Sequence, residues 1–282
     1  IPMYGRMLHD KKGHLKMSKY SGRKGEYINS ISRELLTALL IDQAEALENV
    51  SFEFDLKCDE VDFKNNIASF TNAKNGNSLN CKAGRIFGTD GAGSSLRKSY
   101  VSKREFLFNF SQEFLTHGYK ELSIPADKNG GFRAEKNVLH IWPRGDYMII
   151  ALPNLDGSFT VTLFLAYEGG THNFKNLDTE DKVLSFFSKE FPDTLELMPG
   201  LVSEFFKNPT APLGTIKCFP WQYAGKNLIL GDAAHAIVPF YGQGMNASFE
   251  DVSELNAALD LHQGDWEGAF KAFELKRKKD TD

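Results

Sequence analysis

Cysteine is scarce in this sequence. The three present, Cys58, Cys81 and Cys218, lie far apart, and no CxxC pair occurs. That argues against a disulfide framework or a zinc knuckle and fits a reducing compartment. An excess of one charge sign is also missing. The 33 basic residues face 37 acidic ones, a net charge of -4. No basic surplus points to nucleic acid, and no run of like charge marks a tail. No apolar run reaches the ~18 residues that read as a membrane span, and the opening residues do not read as a signal peptide. Internal repeats and low-complexity segments are absent, and so is any GxGxxG phosphate-binding unit.

Phenylalanine is abundant: 23 residues, against 9 tyrosines and 3 tryptophans. So many rings imply an aromatic-rich core or an apolar ligand site, and core accounts for most of them. With 282 residues, 41% hydrophobic and 25% charged, the chain suits one large globular domain or two small ones. It opens on Ile1 in what reads as mid-strand and stops on LKRKKDTD within a helical pattern. The expectation is therefore a fragment of a longer polypeptide.

Strand and helix signals alternate along the chain. Residues 1–9 read as a strand. From Ser32, apolar residues recur at Leu35, Leu36, Leu39, Leu40 and Leu47, which is helical spacing behind a serine cap. The segment from Val50 to Phe63 looks extended, Asn75-Gly76 signals a hairpin turn, and Arg85 to Thr89 is a short strand before a helix from Ser94. Four strands crowd the middle: Tyr119 to Ile124, Val138 to Trp142, Tyr147 to Leu152 and Phe159 to Tyr167. Together they predict an antiparallel sheet. A helix over 179–190, strands from Leu213 to Phe219 and Asn227 to Leu230, and helices from about Gly244 and Trp266 complete the pattern. The predicted class is mixed α/β: layered pieces at both ends and an antiparallel sheet between.

The richest stretch runs Gly231-Asp232-Ala-Ala-His-Ala-Ile-Val-Pro-Phe-Tyr-Gly-Gln-Gly-Met-Asn246. A strand ends in Gly-Asp, a loop of small residues follows, and a helix begins. A carboxylate at a strand's carboxyl end points into the crevice where α/β proteins bind ligands and can accept hydrogen bonds from a polyol. The helix start offers free N–H groups and a positive dipole end. A glycine-rich turn with no ligand accounts for the same spacing. His235 looks catalytic, yet nothing pairs it with a nucleophile or a metal-ligand cluster, so it reads as structural.

The string GDAAHA…P…GQGMN resembles the second flavin motif of the aromatic-hydroxylase flavoprotein monooxygenases. A second string, Gly88-Thr-Asp90-Gly91-Ala-Gly-Ser94-Ser-Leu-Arg97, is similar to that family's Asp-Gly motif, with Thr89 and Gly93 departing from the wording usual in the most similar branch. LHIWPR at 139–144 and the opening IPM…GRM are specific to one branch, whose substrate is a small aromatic amino acid. The resemblance covers nearly the whole chain. The family's opening strand–GxGxxG–helix unit should lie some tens of residues before Ile1.

The resemblance implies an FAD-binding Rossmann-like domain, incomplete at its N-terminus, with an antiparallel sheet covering the substrate. Residues 1–115 would be an FAD-binding part carrying the substrate-carboxylate residues. Residues 116–215 would be the substrate sheet plus a helix, and 216–282 an FAD-binding part with the Gly-Asp motif. It also implies NADPH and O2 as co-substrates, oxygen delivered from a flavin C4a-hydroperoxide, and no catalytic side chain. Substrate contacts would be Arg6, Tyr20, Leu139, Met148, Ile150, Leu152, Phe164, Pro239, Phe240 and Gln243. Flavin contacts would be Arg33, Cys58, Asp90, Asp232, Gly244, Met245 and Asn246. No metal and no nucleic acid is expected. Attachment to the mitochondrial outer membrane, facing the cytosol, would come through a C-terminal segment beyond Asp282. A family member acting on a phenolic acid, and a non-catalytic fragment lacking GxGxxG, stay open as alternatives.

Overall fold

The computed structural model describes every residue of the chain except 24, 104 and 105, with the side chain of Tyr241 also outside the description. In chain order the elements are β1 (Pro2–Met3), β2 (Gly5–His9), β3 (Leu15–Lys19), β4 (Ile28–Asn29), α1 (Arg33–Glu45), β5 (Leu56–Asp62), β6 (Ile67–Asn72), β7 (Ser78–Lys82) and β8 (Ile86–Gly88). Next come α2 (Ser95–Ser102), β9 (Asn109–Ile124), β10 (Leu139–Pro143), β11 (Met148–Pro153), β12 (Phe159–Ala166), α3 (Glu180–Glu190), α4 (Thr194–Leu197) and α5 (Leu201–Lys207). The last are β13 (Thr210–Phe219), β14 (Gln222–Tyr223), β15 (Asn227–Ile229), α6 (Asp232–His235), α7 (Gly244–His262) and α8 (Trp266–Thr281).

The chain packs as two compact units. Residues 1–51 go with 115–212, and residues 52–114 go with 213–282. The three-part division expected from the sequence followed cofactor and substrate roles. By packing, the first 51 residues join the central sheet instead of the stretch that follows them.

In the first unit a sheet runs β9-β12-β11-β10-β2-β3. Its pairs β9–β12, β12–β11, β11–β10 and β2–β3 are antiparallel. The exception is β2, which lies parallel to β10 with Arg6 opposite Leu139. Alternation sorts the strands into two faces. One face packs Leu122, Ile124, Trp142, Ile149, Ala151, Phe159, Val161, Leu163 and Leu165 against Val183, Phe187 and Phe191. The helix beneath, α3, shows why it forms. Thr179 accepts a hydrogen bond from the Lys182 N–H, Glu180 and Asp181 occupy the first turn, and Val183, Phe186, Phe187 and Glu190 are buried at helical spacing.

The second unit has its own core, built from Val61, Phe63, Leu96, Tyr100, Trp221, Leu228, Ile229, Phe270 and Phe273 among others. It contains the three-stranded sheet β14-β15-β8, with β15 parallel to β8, and the antiparallel meander β5-β6-β7. No helix among the described residues is long and apolar enough to cross a membrane.

Candidate functional site

Each candidate residue can be placed within its own unit. In the first, Met148 is registered opposite Phe164, Ile150 opposite Thr162, and Leu152 opposite Thr160. Ile141 pairs with Ile150, and Leu139 lies beside Arg6. Paired residues share a face, so Arg6, Leu139, Met148, Ile150, Leu152 and Phe164 all project from the face opposite the α3 core. The structure therefore brings together every sheet residue assigned to substrate. Leu8, Ile141 and Tyr119 lie on the same face by register. The sequence reading missed these three, although period-2 alternation would have found Ile141.

Arg6 stands at one side of this apolar face and is solvent-exposed. Its guanidinium carbon lies 4.8 Å from the centre of the Tyr20 ring. The Tyr20 hydroxyl is buried and has no hydrogen-bond partner among the described residues. Burial pushes this phenol's pKa up while the Arg6 charge pulls the other way, and the net shift is upward. At neutral pH it therefore keeps its proton and is a donor. A buried donor without an acceptor costs roughly 1–3 kcal/mol, and beside a guanidinium the group that would satisfy it is an anion. A carboxylate can take two hydrogen bonds from Arg6 and one from Tyr20. A shallow depression bounded by Tyr20, Ser21, Gly25, Glu26, Tyr27 and Ile28 opens at this point. Arg33, assigned to FAD, begins α1 and is exposed.

In the second unit the flavin candidates form two groups. Just past the end of β15 comes Gly231, whose φ of +60° only glycine adopts readily, and a Cβ there would sit 2.9 Å from Ser248 Oγ. The turn leaves the Asp232 side chain exposed at the strand end. A Cβ built on Gly244 would lie 3.6 Å from Asp232 Oδ1, so the carboxylate stands beside the first turn of α7. That helix starts at Gly244 with no side-chain cap from Gln243 and no acidic residue in its first turn. The N–H groups of Gly244, Met245 and Asn246 therefore have no intrahelical acceptor. Pro239, Phe240 and Gln243 lie in the segment just before, with Pro239 and Phe240 in a single 3-10 turn. A hydroxyl-binding carboxylate next to N–H donors at a positive helix end fits a flavin, whose ribityl chain is a polyol and whose pyrimidine edge accepts hydrogen bonds.

The second group joins Cys58 to Asp90. Ser95 donates its N–H to Asp90 Oδ2 at 2.6 Å and its hydroxyl to the Cys58 carbonyl at 2.7 Å. Both candidates thus hold the start of α2. Burial, with Asp90 and Asp59 nearby, pushes the Cys58 thiol up, so it is no reactive thiolate.

Residues outside the candidate set hold these loops. Arg97, buried, donates to the Ala233 carbonyl at 2.6 Å and to the carbonyl of Ala92, tying the Asp-Gly segment to the Gly-Asp loop. Asp251 is fully buried and accepts from the Gly231 N–H at 2.8 Å, from Arg277 Nε at 2.7 Å, and pairs with His235 Nε2 at 2.6 Å. Burial would raise the Asp251 carboxyl, but His235 and Arg277 outweigh it and hold it below the usual carboxylate range. His235 is thereby a structural partner of Asp251, in line with its reading from sequence. Among the described residues no group of His, Cys, Asp and Glu has the arrangement of a metal site.

Residues 199–268 match the FAD binding domain family. Kynurenine 3-monooxygenase of Flavobacterium psychrophilum is 47% identical over 264 residues, which is 94% of this chain and 58% of that protein. The enzyme of the same name from Dictyostelium discoideum is 48% identical over 255 residues, 90% of this chain and 54% of that protein. The chain spans 54–62% of the length of the curated relatives it matches. Among solved structures, 2-methyl-3-hydroxypyridine-5-carboxylic acid oxygenase superposes with a TM-score of 0.73 at 20% identity, covering 99% of this chain and 70% of that one. Klebsiella pneumoniae HpxO, solved with FAD and uric acid, gives 0.70 at 18%, covering 99% and 69%. These two establish the fold: a mixed α/β FAD-binding architecture with antiparallel sheet. The chain is similar to kynurenine 3-monooxygenases over nearly its whole length.

Proposed function

We propose that this chain carries the substrate-facing and flavin-facing residues of an FAD-dependent hydroxylase that converts L-kynurenine to 3-hydroxykynurenine with NADPH and O2. The observation that carries the reading is the buried Tyr20 hydroxyl, without a partner among the described residues, beside Arg6 at the edge of an open apolar sheet face. Sequence similarity to kynurenine 3-monooxygenases supports it.

Arg6 and Tyr20 take the carboxylate of the amino acid. Their grip fixes the far end of a rigid aromatic molecule and so sets where its ring lies. Leu139, Met148, Ile150, Leu152 and Phe164 supply the apolar wall that the ring needs and displace water from it. Pro239, Phe240 and Gln243 enter the proposal as substrate contacts from the segment before α7. Asp232 would hold the ribityl hydroxyls, and the first turn of α7, with Gly244, Met245 and Asn246, would face the pyrimidine edge and stabilise negative charge there. Arg33, Asp90 and the Cys58 backbone are proposed as further FAD contacts. When bound, FAD reduced by NADPH supplies the activated oxygen. No side chain of this chain is assigned as a general base. Location at the mitochondrial outer membrane stays part of this proposal through sequence alone.

The test uses the FAD-loaded protein. Arg6→Ala should weaken L-kynurenine binding on the order of a hundredfold, as expected for loss of a charge-paired anchor, with flavin content unchanged. Unaltered affinity for L-kynurenine in that variant would overturn the carboxylate assignment. NADPH oxidation should be stimulated by L-kynurenine and not by 4-hydroxybenzoate. The reverse preference would assign the chain to a phenolic-acid hydroxylase, and protein that binds no flavin would make it a non-catalytic fragment.

A further inference from the structure

The LHIWPR string holds chemistry that the proposed reaction does not use. Leu139 and Ile141 project toward the open face, so His140 and Trp142 project the other way. There they meet His9, the last residue of β2. His9 Nδ1 is 2.7 Å from Asp193 Oδ2, and His9 Nε2 is 2.9 Å from His140 Nδ1. The His9 ring stacks on Trp142 at 4.0 Å, and Trp142 Nε1 donates to the same Asp193 oxygen at 2.8 Å. Arg144 donates to the His9 carbonyl at 2.9 Å, to the Asp10 carbonyl at 3.2 Å and to the Glu190 carbonyl at 2.5 Å.

The partners assign the protons. His140 Nε2 faces only the Glu135 carbonyl, at 2.8 Å, so it carries a hydrogen. Burial pushes the His140 pKa down to about 4, leaving its Nδ1 as an acceptor at neutral pH. His9 Nε2 must then donate to it, and His9 Nδ1 must donate to the Asp193 carboxylate. His9 thus bridges Asp193 and His140 through its two ring nitrogens, with Trp142 against its ring face. Other charged or titratable groups at this end include Asp10 and Lys11 after β2, Glu135, Asp146, Tyr147, His172, Glu190 at the end of α3 and Asp193 beyond it. Lys11, Tyr147 and His172 gather on Glu190.

This cluster matters because of what β2 lacks. No residue of β2 belongs to the apolar core beneath the sheet. One neighbour of β2 is β3, an edge strand with four of its five residues exposed. The strand that presents Arg6 thus gives that core no apolar side chain, and its last residue, His9, meets the layer beneath through Asp193, His140 and Trp142. We propose that His9, Asp193 and Arg144 form a polar clamp whose task is to position β2 and with it the Arg6 guanidinium. His9 and Asp193 are positioning residues that touch no substrate. The inference rests on Arg6 being the carboxylate anchor.

The test compares wild type, His9→Gln, Asp193→Asn and Arg6→Ala as FAD-loaded protein, with L-kynurenine as the ligand. His9→Gln and Asp193→Asn should raise KM tenfold or more and leave kcat within twofold, while amide exchange at Arg6 to Leu8 speeds up at least tenfold and that of β12 stays put. Unchanged exchange in β2 would overturn the clamp. Nitrogen NMR of the wild type needs no variant to fold: a His9 ring nitrogen with no hydrogen bond to Asp193 or to His140 overturns the assignment. Should Arg6→Ala bind L-kynurenine normally, the anchor reading fails by itself, and β2 exchange still decides the clamp.

Discussion

At the scale of single residues, polar atoms that burial leaves without partners are the most informative. Tyr20 is the clearest case, because its hydroxyl costs stability until something accepts its hydrogen. Tyr20→Phe should leave the melting temperature of the ligand-free protein equal or higher, yet weaken L-kynurenine binding about tenfold, the worth of one hydrogen bond to a charged acceptor. Differential scanning fluorimetry with and without the ligand reads both effects. His140 gives a pH dependence. Its folded pKa lies below its ordinary value, at about 4. Between pH 6.5 and 4 the unfolded chain therefore binds a proton that the folded chain refuses. Stability should be lost as pH falls through that window, on the order of a few kcal/mol. Urea titrations at pH 7 and pH 5 check it, and His140→Gln should shrink the difference.

At the scale of elements, strand ends and helix starts are tied by side chains distant in sequence. The Asp251 carboxylate on α7 holds the Gly231 turn, His235 and Arg277 of α8 together. Asp251→Asn removes the buried counter-charge of Arg277, which keeps the more exposed Glu250 and Asp280, and should cost about 1–3 kcal/mol by urea unfolding. The Asp251 pKa is depressed, so its contribution is present at neutral pH and lost as pH falls below the ordinary carboxylate value. Asp251→Asn should flatten that acid-side loss. The β2–β3 hairpin has a different constraint. A Cβ on Gly5 would lie 2.4 Å from the Ser18 carbonyl oxygen and 2.8 Å from Lys19 Cα, both backbone atoms. Gly5→Ala should destabilise the first unit by about 1–3 kcal/mol and move Arg6 with it, visible as weaker L-kynurenine binding. Most elements were legible beforehand because their signals are local: the Ser32 cap and helical spacing on α1, period-2 alternation on β11. The length of β9, 16 residues, was not. Its first half lacks the apolar alternation of its second and is exposed, so only pairing within the sheet identifies it as strand.

At the scale of the whole molecule, the chain builds two apolar cores, one per unit. Phe187 is fully buried in the first and Phe270 in the second. Phe187→Ala and Phe270→Ala should each cost about 3–5 kcal/mol. Amide exchange should accelerate first in the unit that lost its ring, which mass spectrometry resolves by peptide.

The sequence by itself determined the element types, the mixed α/β class, and the likeness carried by GDAAHA…GQGMN and LHIWPR. Those depend on neighbours a few residues apart, and hydrophobic period and turn chemistry act at that range. Tertiary structure alone decided that β2 lies parallel to β10, which carries residues 1–51 into the sheet unit and sets Arg6 beside Leu139. It alone left the Tyr20 hydroxyl without a partner among the described residues, and it alone joined His9 to Asp193 across 184 positions of sequence and to His140 across 131. Contacts at such separations follow from which faces must be buried together, and no local pattern encodes them.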